Sequence, residues 1–144
     1  MYNYIKLKMS VYIQTNQTIQ LPDSDYTVSS ADTGKIFLIN TVTALRIITL
    51  PTPSVAIAGL HYIFLNKAPG ALGALNQNVR IYGGGTGLMR GVLNNFNVVA
   101  VVANDGINFI YNTTTRGDRC EVYCDGVQWS VLGHSAIAGG FTAN

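Results

Sequence analysis

Cys120-Glu121-Val122-Tyr123-Cys124-Asp125-Gly126-Val127-Gln128-Trp129-Ser130-Val131-Leu132 reads as two strands joined by a tight turn. Asp-Gly tolerates the positive φ that a two-residue hairpin turn needs at both central positions. Such a turn pairs Cys124 with Val127, Val122 with Trp129 and Cys120 with Val131. Those six residues then share one apolar face, and Glu121, Tyr123, Gln128 and Ser130 share the other. Turn chemistry and side-chain alternation agree, so the segment predicts a hairpin with Cys120, Val122, Cys124, Val127, Trp129 and Val131 as its core.

The same device recurs upstream. Asp105-Gly106 predicts a second hairpin, with Val102 facing Phe109 and Ala100 facing Tyr111. Both faces of that pair are apolar, which predicts cover on both sides. Further strand signals are Lys35–Ile39, Arg46–Leu50, His61–Leu65, Val79–Tyr82 and the Val- and Ala-rich 97–103. Each is a short β-branched or aromatic run closed by Gly, Pro, Asn or Asp. Ser54–Leu60 has room for a single helical turn at most. A faint echo links Ile19-Gln20-Leu21-Pro22 to Ile48-Thr49-Leu50-Pro51. Each copy is followed by a glycine, Gly34 or Gly59, and a strand ending in Asn40 or Asn66. Two such short copies read as edge strands ended alike by Leu-Pro rather than as a solenoid.

Composition bounds the rest. The chain has 144 residues, 48% hydrophobic and 11% charged, with a net charge of +2. That balance excludes disorder and gives no strong steering toward nucleic acid or a membrane surface. No apolar run approaches the ~20 residues of a membrane helix, and Met1–Thr18 lacks the apolar stretch of a signal peptide. Cys120 and Cys124 are too far apart along a strand to bridge, and read as buried thiols.

Candidate chemistry is sparse. His61 lies inside an apolar strand, and His134 beside Ser135 lacks a nucleophile motif. Asp23, Asp25 and Asp32 read as local turn caps. Gly83–Gly87 lacks the ending of a phosphate loop and reads as a flexible connection. Asn16-Gln17-Thr18 and Asn112-Thr113-Thr114 match the glycosylation pattern by chance. These residues predict no enzyme, no metal and no cofactor. Arg116-Gly117-Asp118, in a connection after three threonines, is a candidate receptor-binding loop. Tyr62, Tyr82, Tyr111 and Tyr123 are candidate stacking surfaces for sugars.

Residues 19–138 resemble a known group of proteins through the order of their motifs. Tyr26–Phe37 comes first, then Ile48-Thr49-Leu50-Pro51 with Gly59 and Tyr62–Asn66, then Val79-Arg80-Ile81, and finally Cys124–Gly133. This order is similar to the small β domains of virion surface proteins. These include phage head and tail fibre modules, and decoration or fibre-like minor capsid proteins of large DNA viruses. The resemblance implies an all-β, antiparallel β-sandwich of jelly-roll-like form, a homotrimer without catalytic activity. It implies a virion capsid-surface location as a decoration, vertex or fibre-like component, with other capsid proteins as partners. A host receptor or a glycan is a further partner on the alternative reading, a carbohydrate- or receptor-binding sandwich module. The absence of a fibrous stalk favours a small capsid-bound protein. Low charge and two-sided apolar strands point to symmetric assembly independently. The expected organisation is an arm or exchanged strand at 1–18, a sandwich domain at 19–138 and a C-terminal tail at 139–144. The arm is expected to add a strand to a neighbour or to the capsid.

Overall fold

The computed structural model describes residues 17–68, 78–96, 98–110 and 112–143, without the side chains of 98–103. The 1–16 part of the expected arm, Asn16 of the first glycosylation pattern, and Tyr111 lie outside the described residues.

Among the described residues, twelve strands form two sheets. They are β1 (Thr18–Gln20), β2 (Tyr26–Thr27), β3 (Ile36–Ile39), β4 (Arg46–Thr49), β5 (His61–Asn66) and β6 (Val79–Tyr82). There follow β7 (Met89–Asn95), β8 (Val98–Asn104), β9 (Gly106–Phe109), β10 (Arg119–Cys124), β11 (Trp129–Ser135) and β12 (Phe141–Ala143). Sheet A runs β1-β3-β5-β10-β11-β7-β8, and sheet B runs β12-β9-β6-β4-β2. One hydrophobic cluster draws on both: Phe37, Phe64 and Trp129 from sheet A, Ile48, Ile81 and Phe109 from sheet B. The indole N–H of Trp129 reaches across to Pro51 O at 3.0 Å. Tyr62 OH donates to Ser29 O at 3.1 Å.

The expected antiparallel sandwich is corrected to a mixed one. The ladders β1–β3, β3–β5, β2–β4, β4–β6 and β7–β11 are parallel. A jelly roll is antiparallel throughout, so that likeness falls with it. From β1 to β6 the chain alternates between sheets, strand by strand, and winds as a short coil. The echoed strands β3 and β5 are parallel neighbours in this coil. Of the two Leu-Pro strands, β1 is an edge, whereas β4 lies between β2 and β6. Gly34 and Gly59 repeat one bond: their N–H groups donate to His61 O and Cys124 O, each at 2.7 Å, on the next strand of the sheet. Both have positive φ, 79° and 90°, as glycine permits after the short 3-10 turns Ser30–Asp32 and Val55–Ile57.

The terminal hairpin exists, with its register moved by two. Cys124 pairs with Trp129, Val122 with Val131 and Cys120 with Gly133. Asp125 stands before the turn instead of within it. Its Oδ1 accepts the N–H groups of Val127 (2.8 Å) and Gln128 (2.7 Å). That capture makes Gly126, at φ 97°, the first central residue and pushes Val127 to the tip. Val127 is 73% exposed and is not a core residue. An even shift keeps every other side chain on its face, and Cys120, Val122, Cys124, Trp129 and Val131 are buried.

The second expected hairpin is a corner. β8 pairs with β7, so Val102 faces Gly91 and Ala100 faces Leu93. β9 pairs with β6 and β12 in the other sheet. Asp105 is held to the Gly83–Gly87 loop: its carbonyl accepts from Gly83 N (2.8 Å) and its Oδ1 from Gly87 N (2.6 Å). A Cβ on Gly106 would meet Ile81 O at 2.5 Å, so only glycine passes the corner this closely. The 139–144 tail is also corrected. Phe141–Ala143 pairs with β9, and the Phe141 ring is buried against Phe109, centroids 4.6 Å apart.

Candidate functional site

The Arg116-Gly117-Asp118 loop does not present its carboxylate. Asp118 is 2% exposed, whereas Arg116 and Gly117 face solvent. Its Oδ2 accepts Thr115 N (2.8 Å) and Ser135 Oγ (2.9 Å), and its Oδ1 accepts Ala136 N (2.9 Å). A receptor that reads Arg-Gly-Asp needs a free carboxylate, and this one is consumed by the fold. The candidate receptor loop is therefore a structural junction. Asn66 completes it, donating from Nδ2 to Thr115 O (2.9 Å) while its carbonyl accepts from Gly117 N (2.9 Å).

Every aspartate behaves alike. Asp32 closes a capping box with Ser29. Asp23 accepts Thr43 N (3.1 Å) and the Arg46 Nε (2.7 Å), and Asp25 accepts Ile47 N (2.9 Å). The Asp23 and Asp25 bonds reach 20 or more residues along the chain, so these two are not the local caps expected of them. They tie the β1–β2 connection to the approach to β4. Arg46, and after it Thr43, holds the Asp23 carboxyl at about 2. Asp105 and Asp125 bind backbone amides as described above. All six aspartates of the chain thus accept at least one backbone N–H. The residue types that usually perform acid–base work serve as joints.

Neither imidazole is hydrogen-bonded to a hydroxyl or thiol among the described residues. His134 and Ser135 are strand neighbours and point to opposite faces; Ser135 Oγ is bound to Asp118 inside. His61 stacks on Tyr123, centroids 4.2 Å apart and planes 5° apart. Its Nε2 is buried and meets no hydrogen-bond partner among the described residues. Burial pulls this imidazole below its usual value, with Glu121 opposing. Both thiols are free and buried, and burial pushes Cys120 up. Among the described residues no three His, Cys, Asp or Glu side chains converge on a metal position, and no helix is long and apolar enough to cross a membrane.

Of the candidate sugar-stacking rings, Tyr62 is fully buried, and burial raises its hydroxyl to about 12. Tyr82 is half-buried and Tyr123 is 45% exposed. In the second glycosylation pattern, Thr114 is buried, its Oγ1 donating to Gly140 O at 2.6 Å. A cleft of about 140 Å³ lies over Leu21, Ile39, Val42 and Ile48, but Asp23 and Arg46 on its rim are engaged with each other.

The feature that residue-by-residue motif reading missed is the outer face of sheet A. Register places Ile36, Ile63, Glu121, Leu132 and Val92 in one row across five strands. The next row is Leu38, Leu65, Arg119, His134 and Asn94. Leu132 and Val92 are 42% and 38% exposed. The signal was present in Ile36–Ile39 and Tyr62–Leu65, apolar at both parities. No family model matches the chain, and no curated protein matches it.

Proposed function

We propose that this chain is a virion structural protein, a small homotrimeric decoration, vertex or fibre-like component of the capsid surface. The observation that carries a structural role is the use of all six aspartates as backbone joints. Such joints fix turns and connections, which suits a rigid scaffold and leaves no carboxylate pair for acid–base chemistry. The order of motifs over 19–138, which resembles virion surface domains, supports the placement on a particle. An antibody to the purified chain should label intact particles in electron micrographs. Particles that carry none of the chain would overturn this reading.

A second reading is a glycan-binding β module without catalysis. It is favoured by the exposed Tyr123 ring, held in place by its stack on His61 and beside Glu121. Glycan-array binding that disappears in Tyr123→Ala, with folding intact, would favour it over a purely structural role.

A further inference from the structure

His61 opens β5 on the outer face of sheet A, and its backbone is fixed. Its N–H donates to Thr33 Oγ1 at 3.0 Å, and its carbonyl accepts from Gly34 N at 2.7 Å. The side chain is what remains free to move. Its imidazole lies flat on the Tyr123 ring of β10, centroids 4.2 Å apart and planes 5° apart. The imidazole Nε2 is shut away from water and has no hydrogen-bond partner among the described residues. A neutral imidazole can leave one ring nitrogen there as a bare acceptor. An imidazolium cannot, because both of its nitrogens are donors. A charged N–H with neither acceptor nor water is costly. The charged groups on the surrounding elements are already committed. Ahead of β3, Asp32 Oδ1 holds Lys35 Nζ at 2.7 Å and its Oδ2 accepts Ser29 N at 3.3 Å. On β10, Glu121 Oε2 accepts from Tyr123 OH at 3.4 Å and its Oε1 lies 3.5 Å from Arg119 Nε. Beyond β10 the same row continues through Ser130 to Arg90, a second cation. On β5 itself Tyr62 is buried, its OH bound to Ser29 O.

We propose that the His61–Tyr123 stack is a latch released by acid: protonation turns the imidazole out of the stack and leaves the Tyr123 ring without its partner. The released imidazole stands in water and keeps the ordinary value near 6.5. The stacked one lies lower, because burial disfavours its charged form and Glu121 only partly offsets this. As pH falls, the open form takes the proton first. The latch is fully held well above pH 6.5 and weakens as pH drops through that value. No strand has to separate, since the side chain is half-buried and the ring beside it is 45% exposed. The window is also distinct from that of the aspartate joints. Asp23 and Asp125 are held below the usual carboxylate range and titrate in stronger acid. The chain has two histidines, so His134 is the other imidazole that changes charge in this range. The consequence is local: the order of the outer face where β5 meets β10 depends on pH while both sheets persist.

The test is an NMR titration of the whole chain from pH 7.5 to pH 4.5, with His134→Gln to assign the two imidazoles. The expected His61 midpoint lies below the ~6.5 of a free imidazole. Nuclear Overhauser contacts between the His61 and Tyr123 rings should be present at pH 7.5 and lost once His61 is protonated, with far-ultraviolet circular dichroism unchanged. Tyr123→Ala, at an exposed position, uncovers the imidazole and should raise the His61 midpoint toward the free value. His61→Phe keeps a ring on Tyr123 but carries no proton, so its Tyr123 resonances should not change over this range. A His61 midpoint at or above 6.5 overturns the proposal. Ring contacts that persist in the protonated form overturn it equally, as does a midpoint that Tyr123→Ala leaves in place.

Discussion

Phe37 and Phe64 sit opposite each other on parallel neighbouring strands, their rings stacked 5.1 Å apart at 24°. They are the interior signature of the coil formed by β1 to β6, and Tyr62 and Tyr26 close on the Phe37 ring. Truncating Phe64 to Ala removes the stack where the coil meets β10, the antiparallel neighbour of β5. The expected loss is about 3–5 kcal/mol, read as a lower urea midpoint. A loss below about 1 kcal/mol would mean that the coil is not part of the cooperative core.

Asp118 joins the connection before β10 to the end of β11. Asp118→Ala leaves the Thr115 and Ala136 amides without their acceptor, while Ser135 Oγ keeps its bond to Ile137 O. A hydrogen bond to a charged acceptor is worth about 1.5–3 kcal/mol, and these two amides are only part-buried, so a total loss of about 2–4 kcal/mol is expected in chemical denaturation. The same burial predicts that the immobilised native chain supports no cell adhesion that an Arg-Gly-Asp peptide can block. Peptide-sensitive adhesion to the folded chain would contradict the buried carboxylate.

Acid should weaken the molecule through Asp23. Its folded value, about 2, lies below the ~3.9 of an unfolded aspartate. The unfolded chain therefore binds the proton first as pH falls. The stabilisation is fully present well above pH 4 and is lost as pH drops toward 2. Asp125, lowered by the Gln128 and Val127 amides, acts in the same direction. Asp23→Asn should be less stable than wild type at pH 7, and the two stabilities should converge as pH approaches 2. Urea midpoints that stay equally separated from pH 7 to pH 2.5 would refute the Asp23–Arg46 linkage.

How much of this was legible follows from where the bonds run. The terminal hairpin was readable because its pairing is local and its alternation strict. Its register slipped because the Asp125 side chain, not only the Asp-Gly pair, decides where the turn lies. The coil was not readable as a repeat. The separation of paired residues grows from Thr18–Ile36 and Tyr26–Ile48 to Ile36–Ile63 and Arg46–Val79, so no fixed period exists. Asp105-Gly106 carries the same dipeptide as the true hairpin. Its different fate is set by Gly83 and Gly87, about twenty positions away. Asp118 looked like part of an exposed tripeptide because nothing in Arg-Gly-Asp reveals that Ser135 and Ala136 await it. The outer face of sheet A was half visible, as runs apolar at both parities, but only the strand order aligns them into rows.

The central claim is that this chain works as an assembled structural component. Its most direct test is the solution mass of the purified wild-type chain at two concentrations by light scattering. A stable mass near three protomers at both is the expected result. A soluble monomer at both would contradict it.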